Sequence, residues 1–309
     1  MEKIKKANEV VVFHLVRVGN GISPLSKFVK SYKRNPAGGE HDLIIIFKGF
    51  VDREGKKIIR KQEELGLYKE ILKGISHDYI YVDDEGYDVN AYMYAFNKNQ
   101  CYEYYYFLNS YSEILFPNWL NKNLLNIQDP QIGLVGASGS TQSLFSEQAF
   151  RNARFSHIRK LHMKVIRVLL TPLIILIKRC IYYFYFDPYP NYHVRTNAFM
   201  IRRDVLEKVN IQKIKTKVAA LRFESGKKGL SRQVLDMGLE LAVVNCDGVT
   251  SKKEEWHESN TFWQGDQGKL LIADNQTRAY ESGNNHFRKY LSRLAWRYDA
   301  KPVLSENTA

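Results

Sequence analysis

Apolar runs and helical stripes alternate along the first third of this chain. Residues 9–18, EVVVFHLVRV, form a near-continuous apolar run closed by Gly19-Asn20-Gly21, the pattern of a strand buried on both faces. Residues 24–36 then place Leu25, Phe28, Val29 and Tyr32 at helical spacing, with Pro24 in a first-turn position that tolerates it. The same alternation repeats: a strand over 41–50, a helix over 56–72, a strand over 78–84, a helix over 87–99 and a strand over 102–110. A short strand leads into the Gly/Ser turn of residues 131–140, residues 197–209 read as strand then helix, and 226–248 as helix then strand. Strands that alternate with helices predict an α/β fold with a mostly parallel sheet, whose chemistry gathers at the carboxyl ends of the strands.

Composition sharpens this picture in two places. Of the 309 residues, 44% are hydrophobic, which is enough for a sizeable core and argues against disorder. The three cysteines, Cys101, Cys180 and Cys246, are far apart and offer neither a disulfide framework nor zinc-finger spacing. The basic, then apolar, N-terminus contains His14 and Arg17 and no small-residue cleavage site, so it reads as a first strand and not as a signal peptide. The net charge is +13, and residues 151–217 alone carry 15 Lys/Arg against three acids, a surplus of 12. So local a surplus implies an anionic partner surface: nucleic acid, lipid or a phosphorylated substrate. No nucleic-acid-binding motif accompanies it, and no nucleic-acid partner is expected.

The segment VDDEGYDVNAYMYAFNKNQCYEYYYFLNS (82–110), then NAFMIRRDVLEKV (197–209), then FESGKKGLSRQVLDMGLELAVV (223–244) together resemble GT-A nucleotide-sugar glycosyltransferases of the inverting, bacterial surface-polysaccharide type. The resemblance covers roughly residues 8–250. It implies a GT-A-like, Rossmann-like sheet flanked by helices over 1–250, with a basic and apolar insert at 151–190 and a C-terminal extension or lid at 251–309 within the same globule. Two departures stand out. Asn109-Ser110-Tyr111 occupies the Asp-x-Asp slot, and Glu224-Ser225-Gly226 keeps the acid of the base segment but loses its neighbour.

By that resemblance Glu224 is the general base, and Arg17, Asp84, Glu85, Asp88, Asn109, Ser110, Ser112, His193, Arg195 and Asn197 contact the donor. Glu224 is expected after an apolar stretch and before a Gly turn into a helix, where an ordinary acid at a helix N-terminus is the competing reading. His193, Arg195 and Asn197 alternate, so an extended backbone would point them to one face. Hard divalent cations prefer carboxylates, so no metal ligand is assigned, and Mg2+ or Mn2+ would be held mainly by the donor diphosphate. Trp256, Trp263, Gln264 and Gln267 combine aromatic faces with amides, a pairing suited to sugar rings at an acceptor site. Residues 168–177 are apolar but too short to span a bilayer, which takes about twenty residues. With their basic flanks and aromatic end, residues 157–186 predict attachment to a membrane surface, beside a glycan or lipid-linked acceptor at the inner face of the cytoplasmic membrane. The alternatives are an inactive GT-A-like binding protein and a basic nucleic-acid binder.

Overall fold

The computed structural model describes residues 8–151, 176–177, 179–212 and 214–297. Most of the basic insert, including residues 157–175, therefore lies outside the described residues. Eight strands build the main sheet: β1 (Val10–Arg17), β2 (Asp42–Lys48), β3 (Asp78–Val82), β4 (Tyr104–Leu108), β6 (Ile132–Gly136), β9 (Ala198–Arg202), β10 (Glu240–Val244) and β11 (Thr250–Lys252). Two small ribbons pair β5 (Glu113–Ile114) with β12 (Ile272–Ala273) and β7 (Gly139–Ser140) with β8 (His193–Val194). The order across the main sheet is β11-β10-β6-β9-β4-β1-β2-β3. β1 to β4 run parallel, as do β6 and β10, while β9 lies antiparallel between β4 and β6. This is the α/β, mostly parallel architecture that the alternation of runs predicts.

The central strands are apolar because both faces are covered. Val11, Phe13 and Leu15 of β1 join one core with Val89, Tyr92 and Phe96 of α3 (Asp88–Lys98). Val10, Val12 and Val16 join the other, with Leu25 and Phe28 of α1 (Ser23–Arg34) and Tyr68 of α2 (Gln62–Ile71). The direction of strand addition reverses after β3: β2 and β3 add to one side of β1, and β4 to the other. The crossover helix changes face at the same point, since α1 and α2 cover one face and α3 the other. The crevice between the carboxyl ends of β1 and β4 is thus the topological switch point, where open α/β sheets bind their ligands.

The C-terminal segment shares these cores. Trp256, Phe262, Trp263, Tyr280, Leu291 and Trp296 pack in the same cluster as β1 and α3. α4 (Trp119–Ile127) and the helices Asn275–Glu281 and Asn285–Trp296 add elements that the strand–helix alternation does not reveal.

Candidate functional site at the strand switch

The strands β1 and β2 end beside the switch point in charged residues. β1 closes on Arg17 and β2 on Lys48, and these are direct register partners. Lys48 is buried, and its Nζ donates to the Glu85 carbonyl at 2.7 Å. Burial pushes its ammonium below the usual lysine range, against the opposing pull of Asp84 and Asp88. Arg17 grips Asp84 bidentately, Nε to Oδ1 at 2.7 Å and Nη2 to Oδ2 at 3.0 Å. Burial alone would raise the Asp84 carboxyl; the hydrogen bond from Arg17 and nearby positive charge outweigh it and hold the carboxyl low. Gly49, at φ +86°, lets this corner close: a Cβ there would sit 2.9 Å from Val18 Cγ1 and 3.2 Å from Asp84 Cβ.

Asp88 opens α3 and faces the same charges. Burial raises its pKa; Lys48, Arg17 and Lys217 oppose the rise, and Glu224 adds to it. Asp88 therefore links the strand tips to the helix Lys217–Ser225. That helix starts under a Thr216 cap that accepts from the Ala219 amide, and Glu224 lies in its last turn. The competing reading of Glu224 as an acid at a helix N-terminus is thereby overturned. The macrodipole opposes an anion at this end, so helix stability does not explain the residue. The turn that follows is tight. A Cβ on Gly226 would lie 2.5 Å from the Arg222 carbonyl oxygen and 3.0 Å from that of Tyr185.

His193 stands within electrostatic reach of Glu224. Its ring is buried, and Nδ1 lies 2.8 Å from the Asn191 carbonyl. A carbonyl only accepts, so Nδ1 carries the proton and Nε2 keeps its lone pair. Burial lowers the ring's pKa despite the nearby carboxylate. Asn191 also donates through Nδ2 to the Ser225 carbonyl at 2.7 Å. One residue thus fixes the imidazole tautomer and ties down the end of the helix that bears Glu224.

The loop after β4 is built differently from an ion site. Asn109 Oδ1 accepts from the Tyr111 amide at 3.0 Å and from Ser112 Oγ at 3.2 Å. Ser112 also donates to the Asn197 carbonyl, so both side chains shape the loop. Ser110 Oγ and Asn197 Nδ2 are buried without partners, and Asn197 Oδ1 accepts from Ser138 Oγ at 3.2 Å. Among the described residues no three His, Cys, Asp or Glu side chains gather as a metal set. An amide already committed and two hydroxyls do not fit a tightly held divalent cation.

Several residues expected to contact substrate are engaged within the protein. Arg195 is buried with its guanidinium 4.4 Å from the Phe262 ring centre and Nη2 4.0 Å from Asp274 Oδ2, while its Nε has no partner. Ser112 is committed inside the loop. Glu85 is paired with Arg53 at the outer rim. The four residues expected at an acceptor site are buried. The Trp256 ring lies under Gly139 and its Nε1 donates to the Ser251 carbonyl, while Trp263 Nε1 donates to the Gln276 carbonyl. Gln264 and Gln267 hold the Trp256 and Thr277 carbonyls through their amides. Lys48, Lys217 and Asn191 join the site although no motif singles them out. Lys48 is legible as the last residue of a buried apolar run, in the same position as Arg17.

A cavity of about 430 Å3 opens beside the charged corner, bounded by Lys48, Asp83, Glu85, Asn90, Tyr94 and Asn97. Its size suits a small ligand.

No protein-family model matches the chain, and no curated protein matches it. Among solved structures it is similar to a mannosyltransferase of Pyrobaculum calidifontis in complex with GDP-Man and Mn2+, at 11% identity over 83% of this chain and 61% of that one, with a TM-score of 0.45. It is similar to GalNAc-T7 with UDP, GalNAc and Mn2+, at 16% identity over 43% of this chain and 23% of that one, TM-score 0.31. It is also similar to a 4-diphosphocytidyl-2C-methyl-D-erythritol synthase of Anaerococcus prevotii, at 9% identity over 81% of this chain and 94% of that one, TM-score 0.40. The chain spans less than two thirds of the two transferases. Likenesses this remote do not bear on chemistry, which is read from the side chains.

Proposed function

We propose that this chain is a GT-A-type glycosyltransferase that moves a sugar from a nucleoside-diphosphate donor to a glycan or lipid-linked acceptor in surface-polysaccharide synthesis. The observation that carries the reading is the convergence of Arg17, Lys48, Asp84 and Asp88 with Glu224 at the strand switch. In this reading the nucleoside occupies the cavity beside Lys48. The acceptor oxygen forms its bond to the anomeric carbon as the bond to the diphosphate oxygen breaks, and the configuration inverts. The acceptor's proton passes to the Glu224 carboxylate, and the bonding electrons leave with the nucleoside diphosphate. Arg17 and Lys217 offset the charge on that leaving group, as cations and fixed dipoles do in such sites. His193 Nε2 and the unpartnered Ser110 hydroxyl are available to the sugar's hydroxyls. Asn109–Ser112 does not fit a divalent cation, so no step is routed through one. The enzyme works at the inner face of the cytoplasmic membrane, attached peripherally through its basic insert; among the described residues no helix is long and apolar enough to cross a membrane.

Nucleoside diphosphates and their sugars are expected to raise the melting temperature. Glu224→Gln is expected to keep that shift and to lose transfer by about 10²- to 10⁴-fold. Absence of a shift with every nucleoside diphosphate would sink the donor reading. Full transfer by Glu224→Gln would remove the base.

A further inference from the structure

The end of the basic insert that the structure describes carries an apolar stripe. Residues 176–177 and 179–185 are helical, and Ile177, Ile181 and Phe184 recur at i, i+4 and i+7. All three are exposed, Phe184 to 72%, and Leu176 and Tyr183 beside them are exposed as well. Phe186, just past the helix, is fully buried and anchors it. A water-facing stripe of this kind is unusual on a soluble surface.

At the foot of the stripe lies a second cavity, of about 470 Å3, which shares Gln212 with the cavity beside Lys48. Phe184, Tyr185, Arg222, Lys227 and Lys228 are among its walls. Two of the cations are held in place. Arg222 stacks 3.9 Å from the Tyr185 ring centre, and Lys227 donates to the Tyr183 carbonyl at 2.8 Å while its ammonium lies 4.8 Å from the Tyr183 ring centre. The Lys227 amide also donates to the Tyr185 carbonyl at 2.8 Å. Asp236, the acid on this wall, is paired with Arg232. Three cations on the wall of one cavity, continuous with exposed aliphatic and aromatic side chains, match the two halves of an anionic lipid: phosphate below and hydrocarbon beside it.

We propose that Arg222, Lys227 and Lys228 form a binding site for the phosphate headgroup of an anionic membrane lipid, while Ile177, Ile181 and Phe184 enter the acyl boundary. The inference rests on the peripheral-membrane part of the proposed function and is independent of the transfer chemistry. The site sets the protein's orientation on the bilayer, because the helix that carries Arg222 also carries Glu224.

The test is flotation of the full chain with phosphatidylcholine vesicles, with and without phosphatidylglycerol. The wild type is expected to float with the anionic vesicles and to be released by salt. Arg222→Gln/Lys227→Gln/Lys228→Gln should lose about fivefold in partitioning per charge, on the order of a hundredfold in all. Phe184→Ser, on an exposed ring that the fold does not need, should weaken binding to the same vesicles and leave the salt dependence in place. Equal flotation with neutral vesicles, or undiminished flotation of a triple variant that melts like the wild type, overturns the headgroup site. If the wild type floats with neither vesicle, the headgroup site and the membrane attachment both fall, while the donor reading keeps its own test in the nucleotide melting shift.

Discussion

Lys48 shows what one residue does at the strand tips. Its ammonium is taken out of water, its pKa is lowered by that burial, and it holds the backbone of the loop that presents Asp84 and Asp88. It is a positioning residue. Lys48→Met keeps the length of the side chain and removes the charge. The variant is expected to stay folded by circular dichroism and to bind nucleoside diphosphate roughly tenfold more weakly in calorimetry, the scale of one hydrogen bond to a charged group. Unchanged affinity would show that the loop needs no such hold. Motif order marks strand ends, which is why the sequence pattern points to the strand tips at Arg17 and Asp84 and to Asp88 at the head of α3. It does not reveal the burial of Arg195 and Trp256, whose contacts with Asp274 and Gly139 lie far away in sequence.

Among the elements, the pairing of β1 with α1 has a measurable signature. His14 is fully buried, its ring stacked 3.6 Å centre to centre on Phe28, and neither nitrogen has a partner. Burial depresses its pKa from 6.5 to about 3. The unfolded chain takes up a proton near pH 6.5 and the folded chain does not, so stability falls as pH drops from 6.5 toward 3. The expected loss is about 1.4 kcal/mol per pH unit. His14→Phe should flatten this limb, so denaturant titrations at about pH 6.5 and about pH 5 should separate the two proteins by about 2 kcal/mol more at the lower pH. Parallel acid limbs would assign the acid sensitivity to other groups, such as buried His193. The strands are legible because a strand buried on both faces is almost purely apolar. The helix Lys217–Ser225 is not, because its low amphipathicity hides the turn on which Glu224 rides.

At the scale of the whole molecule, the C-terminal segment closes the fold. β12 pairs with β5 directly after the Asn109–Ser112 loop, and Arg278 reaches Glu113 with Nε at 3.0 Å from Oε2. Tyr280 and Trp296 complete the core over α3 and β1. Removing residues 251–309 is expected to abolish soluble, cooperative folding, where the full chain should give one melting transition by calorimetry. A stable, cooperatively melting 1–250 fragment would contradict this. No periodicity announces such a closure, since short paired segments far apart in sequence leave no repeating signal.

Arg17 and Lys48 end neighbouring strands at the same height, and the guanidinium works against the charge on the ammonium. Asp84 and Asp88 lie against the same pair and already offset that repulsion. The corner is balanced before any ligand arrives, so an incoming anion must compete with the Asp84 carboxylate for the guanidinium.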